Sequence, residues 1–158
     1  MEACAGKNSP RLVERGHVCF APTLSGIGER FHIANRSMGL LVHIQDITNL
    51  LEFEDLNDVI LVGYSYGGIV ITEVIEKSSR VNKLVYLDAI VLEHGQSVFS
   101  LITDLEDQFN GSVDANGMVP PWKPEDFRVS NPLDVRWMET RFTPLPILTH
   151  QEKLMPQV

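Results

Sequence analysis

The residues best placed to do chemistry lie in Gly63-Tyr64-Ser65-Tyr66-Gly67, a serine with glycine two positions away on either side. A serine hydroxyl is a weak nucleophile in a flexible chain and becomes useful when a tight bend holds it clear of the backbone. Glycines at these offsets leave room for such a bend and for close packing of the segments on either side. By chance alone the pattern appears in about one chain in twenty of this length, so the five letters decide nothing by themselves. The flanks decide. Val59-Ile-Leu-Val62 runs straight into Gly63 as a buried-strand pattern, and Val70, Ile71, Val74 and Ile75 recur at helical spacing beyond Gly68. The stretch is predicted to be strand, sharp turn and helix, with the Ser65 hydroxyl exposed for attack. The alternative is a plain glycine-rich turn with Ser65 as a helix cap.

Other elements must position this bend. Pro10 to Gly16 looks like the last turns of a helix closed by glycine, and His17-Val-Cys-Phe-Ala21 reads as a short buried strand ended by Pro22. The loop Thr23 to Arg30 holds Gly26 and Gly28, but no third glycine or Lys-Ser/Thr completes a phosphate cradle. Leu40, Ile44, Ile47, Leu50 and Leu51 share one face of a helix running to about Glu54, with His43 and Gln45 off that face. The helix after the bend should end near Ser78 to Arg80, and Lys83 to Val91 reads as a third buried strand. Strand, helix, strand, helix, strand defines an α/β class with parallel pairing.

Beyond Glu93 the character changes. Val98, Leu101, Ile102, Leu105 and Phe109 form another amphipathic face, and seven of the nine prolines fall from Pro120 onward, with a short helix expected over Leu133 to Arg141. Trp122, Trp137 and Phe142 sit among those prolines, so the segment reads as an irregular apolar lid rather than more sheet, or as loop aromatics packed on the body. Asn110-Gly-Ser has the form of a glycosylation sequon and reads as a turn.

At 158 residues one domain is expected. The formal charge of −8 disfavours nucleic acid and anionic membranes as partners. No apolar run approaches the length of a membrane span. Cys4 and Cys19 form neither a metal-ligand spacing nor a disulfide framework, and the N-terminus lacks a secretion-signal pattern. A cytoplasmic setting, no metal and no cofactor are the expectations.

Taken together, Phe20 to Arg30, Leu61 to Gly68 and Leu84-Val-Tyr-Leu-Asp-Ala89 resemble the α/β-hydrolase superfamily. The resemblance lies with its small esterases, including pyrethroid-hydrolase-like enzymes, beside hydroxynitrile lyases and plant methyl-ester esterases. It implies that residues 1–97 are a core fragment carrying the nucleophile elbow and that 98–158 are a lid. Ser65 then matches the nucleophile, and the backbone N–H of Tyr66 matches one oxyanion donor. Tyr64 stands where the family usually has His. The resemblance also implies a truncated chain, beginning after the third strand and stopping where the seventh begins, so that the triad acid, the triad histidine and the second oxyanion donor fall outside it. Asp88, Glu93, His94 and His150 could formally substitute, but His94 reads as an exposed turn and His150 as a surface residue.

The implied activity is hydrolysis of a small apolar ester through Ser65, nearly absent in this chain alone. A non-catalytic small-molecule binder of the same fold and a hydroxynitrile-lyase-like enzyme are the alternatives. Open apolar sheet edges would favour self-association.

Overall fold

The computed structural model describes residues 10–154 of the 158. A helical turn over 10–13 closes through Gly16, whose φ of 88° is the left-handed conformation that favours glycine. The principal elements that follow are α1 (Leu40–Phe53), β1 (Val59–Tyr64), α2 (Gly67–Lys77) and β2 (Val81–Leu87). Beyond them come α3 (Val98–Leu101), α4 (Thr103–Ser112), β3 (Met118–Val119), α5 (Pro132–Glu139), β4 (Leu145–Pro146) and α6 (Leu148–Gln151).

β1 and β2 pair in parallel, Gly63 opposite Tyr86 and Tyr64 opposite Leu87, with α2 as the crossover between them. Pleating sends Leu61 and Gly63 of β1 toward α2, while Ile60, Val62 and Tyr64 face outward and are exposed. α2 buries Ile69, Val70, Ile71 and Val74, and Leu40, Ile44 and Leu51 of α1 join the same core. Each such side chain contributes about 1.5–3 kcal/mol when removed from water. A second apolar cluster of Phe99, Phe109 and Val119 lies within the C-terminal part.

That part is fastened to the core at several points. Glu152 Oε2 accepts the Leu41 N–H at 2.9 Å and so caps α1, Leu154 is buried in the main core, and Leu154 and the Gly95–Gln96 turn exchange two backbone hydrogen bonds.

Several expectations are corrected. His17 to Ala21 is not a strand; Val18 is 85% exposed, and no neighbouring strand among the described residues supplies a ladder. The third predicted strand ends at Leu87, because Asp88 takes a φ of 42° that breaks extended backbone. The C-terminal part does contain sheet, a two-residue antiparallel pair of β3 and β4. Asn110 to Ser112 is the last turn of α4, closed by Ser112 Oγ donating to the Gln108 carbonyl, rather than a loop turn. Cys4 lies outside the described residues, and Cys19 is a free, half-buried thiol. No helix among the described residues is long and apolar enough to cross a membrane.

Candidate active site

Ser65 occupies the bend between β1 and α2 with φ 50°, a left-handed conformation that costs a non-glycine residue about 1–2 kcal/mol. Its backbone is pinned by β2, the segment after β2 and the helix: the Ser65 N–H donates to Leu87 O at 3.3 Å, and the Ser65 carbonyl accepts from Gly68 N and Ile90 N at 3.0 Å each. The neighbouring glycines are required for different reasons. A Cβ on Gly63 would lie 2.6 Å from the Gly67 carbonyl oxygen, and one on Gly68 would lie 2.6 Å from Ala89 Cβ, whereas one on Gly67 would meet nothing within 4 Å. Gly63 admits the turn, and Gly68 lets α2 close on the segment after β2. The N–H of Tyr66 takes no part in the turn's own hydrogen bonds.

In front of Ser65 lies a cavity of about 1060 Å³, walled on the core side by Tyr66 and Ile90 and on the C-terminal side by Trp122, Trp137 and Phe142. Thr23, Gly28 and Glu29 form another wall. That loop is held from behind by Asp46, whose carboxylate accepts the Ser25 N–H at 2.6 Å and the Ser25 hydroxyl at 2.9 Å. The Gly28 N–H donates to Thr143 Oγ1 at 2.9 Å, so this amide is already bonded within the protein. Thr23 Oγ1 donates to Glu29, and this bond holds the Glu29 carboxyl below its ordinary value.

Two histidines overturn their expected places. His43, expected off the apolar face of α1, is 1% exposed. Its Nε2 lies 2.9 Å from the Ser25 carbonyl, which can only accept, so Nε2 carries the proton and Nδ1 accepts from the Tyr66 hydroxyl at 2.9 Å. Burial pushes the imidazole pKa down, against the Ser25 bond and Asp46, and pushes the Tyr66 phenol well above 10.0, so both stay neutral as the bond requires. His150, expected at the surface, is 7% exposed and lines the cavity with Ser65. It stacks on Tyr66 at 5.4 Å and 14° and lies 4.9 Å from the Phe109 ring. Burial, with His43 nearby, holds its pKa at about 4. The signal for both was short: His43 sits three residues after Leu40 and one before Ile44, and His150 follows the apolar run Leu145 to Leu148.

Asp88, Glu93 and His94 do not line the cavity. His94 stands on the exposed turn closed by Gly95, as expected, with Nε2 3.6 Å from Glu76. Among the described residues, one set of side chains is grouped closely enough to hold a metal ion: Glu73, Glu76 and His94, with ligand atoms within 4.8 Å of one another. There Lys77 lies 3.5 Å from Glu73 Oε2 and His94 faces Glu76, while the buried Glu73 Oε1 makes no hydrogen bond.

A strand, a left-handed serine and a helix, with a cavity in front of the serine, form the strand-turn-helix elbow expected around Ser65. The chain belongs to the alpha/beta hydrolase family, whose model matches residues 9–156. It is 36% identical over 165 residues to a carbendazim hydrolyzing esterase of Nocardioides sp. (strain SG-4G), an alignment that covers 96% of this chain and 67% of that protein. Among solved structures it is similar, with a TM-score of 0.82 and 24% identity, to an extracellular alpha/beta-hydrolase from a Paenibacillus species. That structure is described as sharing structural and functional homology to tobacco Salicylic Acid Binding Protein 2; the match covers 95% of this chain and 64% of that one. The chain therefore spans about two thirds of the length of these relatives.

Proposed function

We propose that the protein is a serine esterase in which the Ser65 hydroxyl attacks the carbonyl carbon of an ester or carbamate. The observation that carries this is Ser65 itself, held at φ 50° on the floor of a cavity of about 1060 Å³. Attack converts the carbonyl oxygen to an oxyanion, for which the Tyr66 N–H is the donor; the ester C–O bond then breaks, the alcohol leaves with the serine proton, and water cleaves the acyl-enzyme to release the acid and restore Ser65. Residues from Val98 onward act as a lid whose aromatic side chains cover the acyl or leaving group. The similarity to an esterase acting on carbendazim supports ester chemistry and makes carbendazim the first substrate to test.

The described chain supplies no histidine–carboxylate pair beside Ser65. Both nitrogens of His43 are committed, and His150 Nδ1 is bonded to Thr149 rather than to an acid. Turnover by residues 1–158 alone is accordingly weak, since losing a triad base costs on the order of a millionfold. Prolonged incubation with a fluorophosphonate, followed by peptide mass spectrometry, should give a slowly formed adduct on Ser65 that is lost in Ser65→Ala. An adduct elsewhere, or none, refutes the assignment; brisk hydrolysis of a small aryl ester by this chain refutes the weak-turnover claim. The Thr149 pairing also favours a second reading, binding without turnover, in which stabilisation by ligand survives Ser65→Ala.

A further inference from the structure

We propose that His150 Nε2 is a hydrogen-bond acceptor built into the aromatic cavity, selecting an aryl ligand with a ring N–H or O–H donor over the same ring system without one. The inference rests on the cavity being the ligand site and adds to it the polar feature the ligand must carry.

The protons can be placed one by one. Thr149 Oγ1 has a single hydrogen, and it donates to the Pro146 carbonyl at 2.7 Å. The 2.8 Å contact between Thr149 Oγ1 and His150 Nδ1 must then be made by a proton on the ring nitrogen. His150 is thus the Nδ1–H tautomer, and its Nε2 carries a lone pair and no hydrogen. Nε2 makes no hydrogen bond, yet the one enclosed, unpartnered side-chain nitrogen or oxygen among the described residues is Glu73 Oε1. Nε2 therefore reaches open space, and for a residue 7% exposed that lines the cavity, the open space is the cavity. Stacking on Tyr66 and contact with Phe109 fix the ring, so the acceptor points in one direction. Burial keeps it neutral at neutral pH.

Of the other polar groups of the wall, His43 is bonded at both nitrogens, Thr143 Oγ1 already accepts from Gly28, and Glu29 and Asp126 are exposed to water. The Ser65 hydroxyl can also accept, and Ser65→Ala separates its contribution from that of His150. A donor that enters among Trp122, Trp137 and Phe142 leaves its hydration behind and finds His150 as its replacement. A buried acceptor left without a donor is disfavoured, and this asymmetry creates selectivity.

The test uses the full 158-residue chain and two unreactive amides of equal shape, indole-3-carboxamide and benzofuran-3-carboxamide, which differ only in a ring N–H against a ring oxygen. Calorimetric titration should show the indole bound roughly tenfold more tightly. In His150→Phe the ratio should fall to about one with both compounds still bound, and in His150→Gln, whose amide oxygen can take over as acceptor, part of the preference should return. A readout without substitution is the ¹⁵N resonance of His150 Nε2, which should move with the indole and stay still with the benzofuran. Equal affinities in the unaltered protein, binding of neither compound, an unchanged ratio in His150→Phe, or a silent Nε2 resonance would each overturn the proposal. Ser65→Ala should keep the ratio, so a wrong nucleophile shows up as absent labelling with selectivity intact.

Discussion

Acidification from pH 7 to pH 5 should destabilise this protein through His150. Its pKa is held at about 4 by burial against an ordinary value of 6.5, so over that interval the unfolded chain takes up a proton that the folded chain refuses. A group with a depressed folded-state pKa contributes nothing to pH dependence above its ordinary value. Stability then falls as pH drops through 6.5, and the loss levels off below about 4. Integrating proton uptake between these two values gives a loss of about 2 kcal/mol from pH 7 to pH 5. His43 is shifted downward as well and adds in the same direction. Glu29 and Asp114, whose carboxyls are held below their ordinary values of 4.5 and 3.8, lose their contribution at lower pH and leave this window to the histidines. Urea unfolding followed by the fluorescence of Trp122 and Trp137 measures the effect, and His150→Phe provides the comparison through its pH slope. Constant stability from pH 7 to pH 5, or an equal slope in His150→Phe, would refute the burial-based reasoning.

The elbow makes further predictions about stability. Ser65→Gly should raise stability by about 1 kcal/mol by relieving the left-handed backbone, while abolishing the fluorophosphonate adduct; thermal unfolding and mass spectrometry check the two halves. Gly63→Ala and Gly68→Ala should each cost about 1–3 kcal/mol because the new methyl has no space, whereas Gly67→Ala should be neutral or stabilising, as calorimetry can rank. Glu152→Ala should lower stability by about 1 kcal/mol through loss of the α1 cap, seen as a lower urea midpoint with an unchanged slope.

The elbow, α1 and the α2 crossover were legible because each rests on contiguous or strictly periodic apolar residues, a pattern that local propensity and burial enforce together. The same holds for α5, expected at Leu133 to Arg141 and found at Pro132–Glu139. What escaped was non-local. His43 is buried by the Tyr66 ring and the Ser25 carbonyl, partners 23 and 18 residues away, and no spacing rule links them. His150 is enclosed by Tyr66, Phe99 and Phe109, which come from two other parts of the chain. His17 to Ala21 failed for the opposite reason: its composition suits a strand, but a strand exists only where another backbone completes its ladder. The bend at Ser65 was legible from five residues, whereas the cavity in front of it is lined by residues from Thr23 to His150.

The bond from Glu152 to the first turn of α1 spans 111 residues. During synthesis at about 5–20 residues per second, α1 therefore leaves the ribosome roughly 6–20 s before its cap is made. Leu154, which fills the main core, arrives later still. Throughout that delay the apolar face of α1 and the elbow have been synthesised but not fully packed, so apolar surface stays exposed on the nascent chain. The interval ends when the last residues of the described structure reach α1.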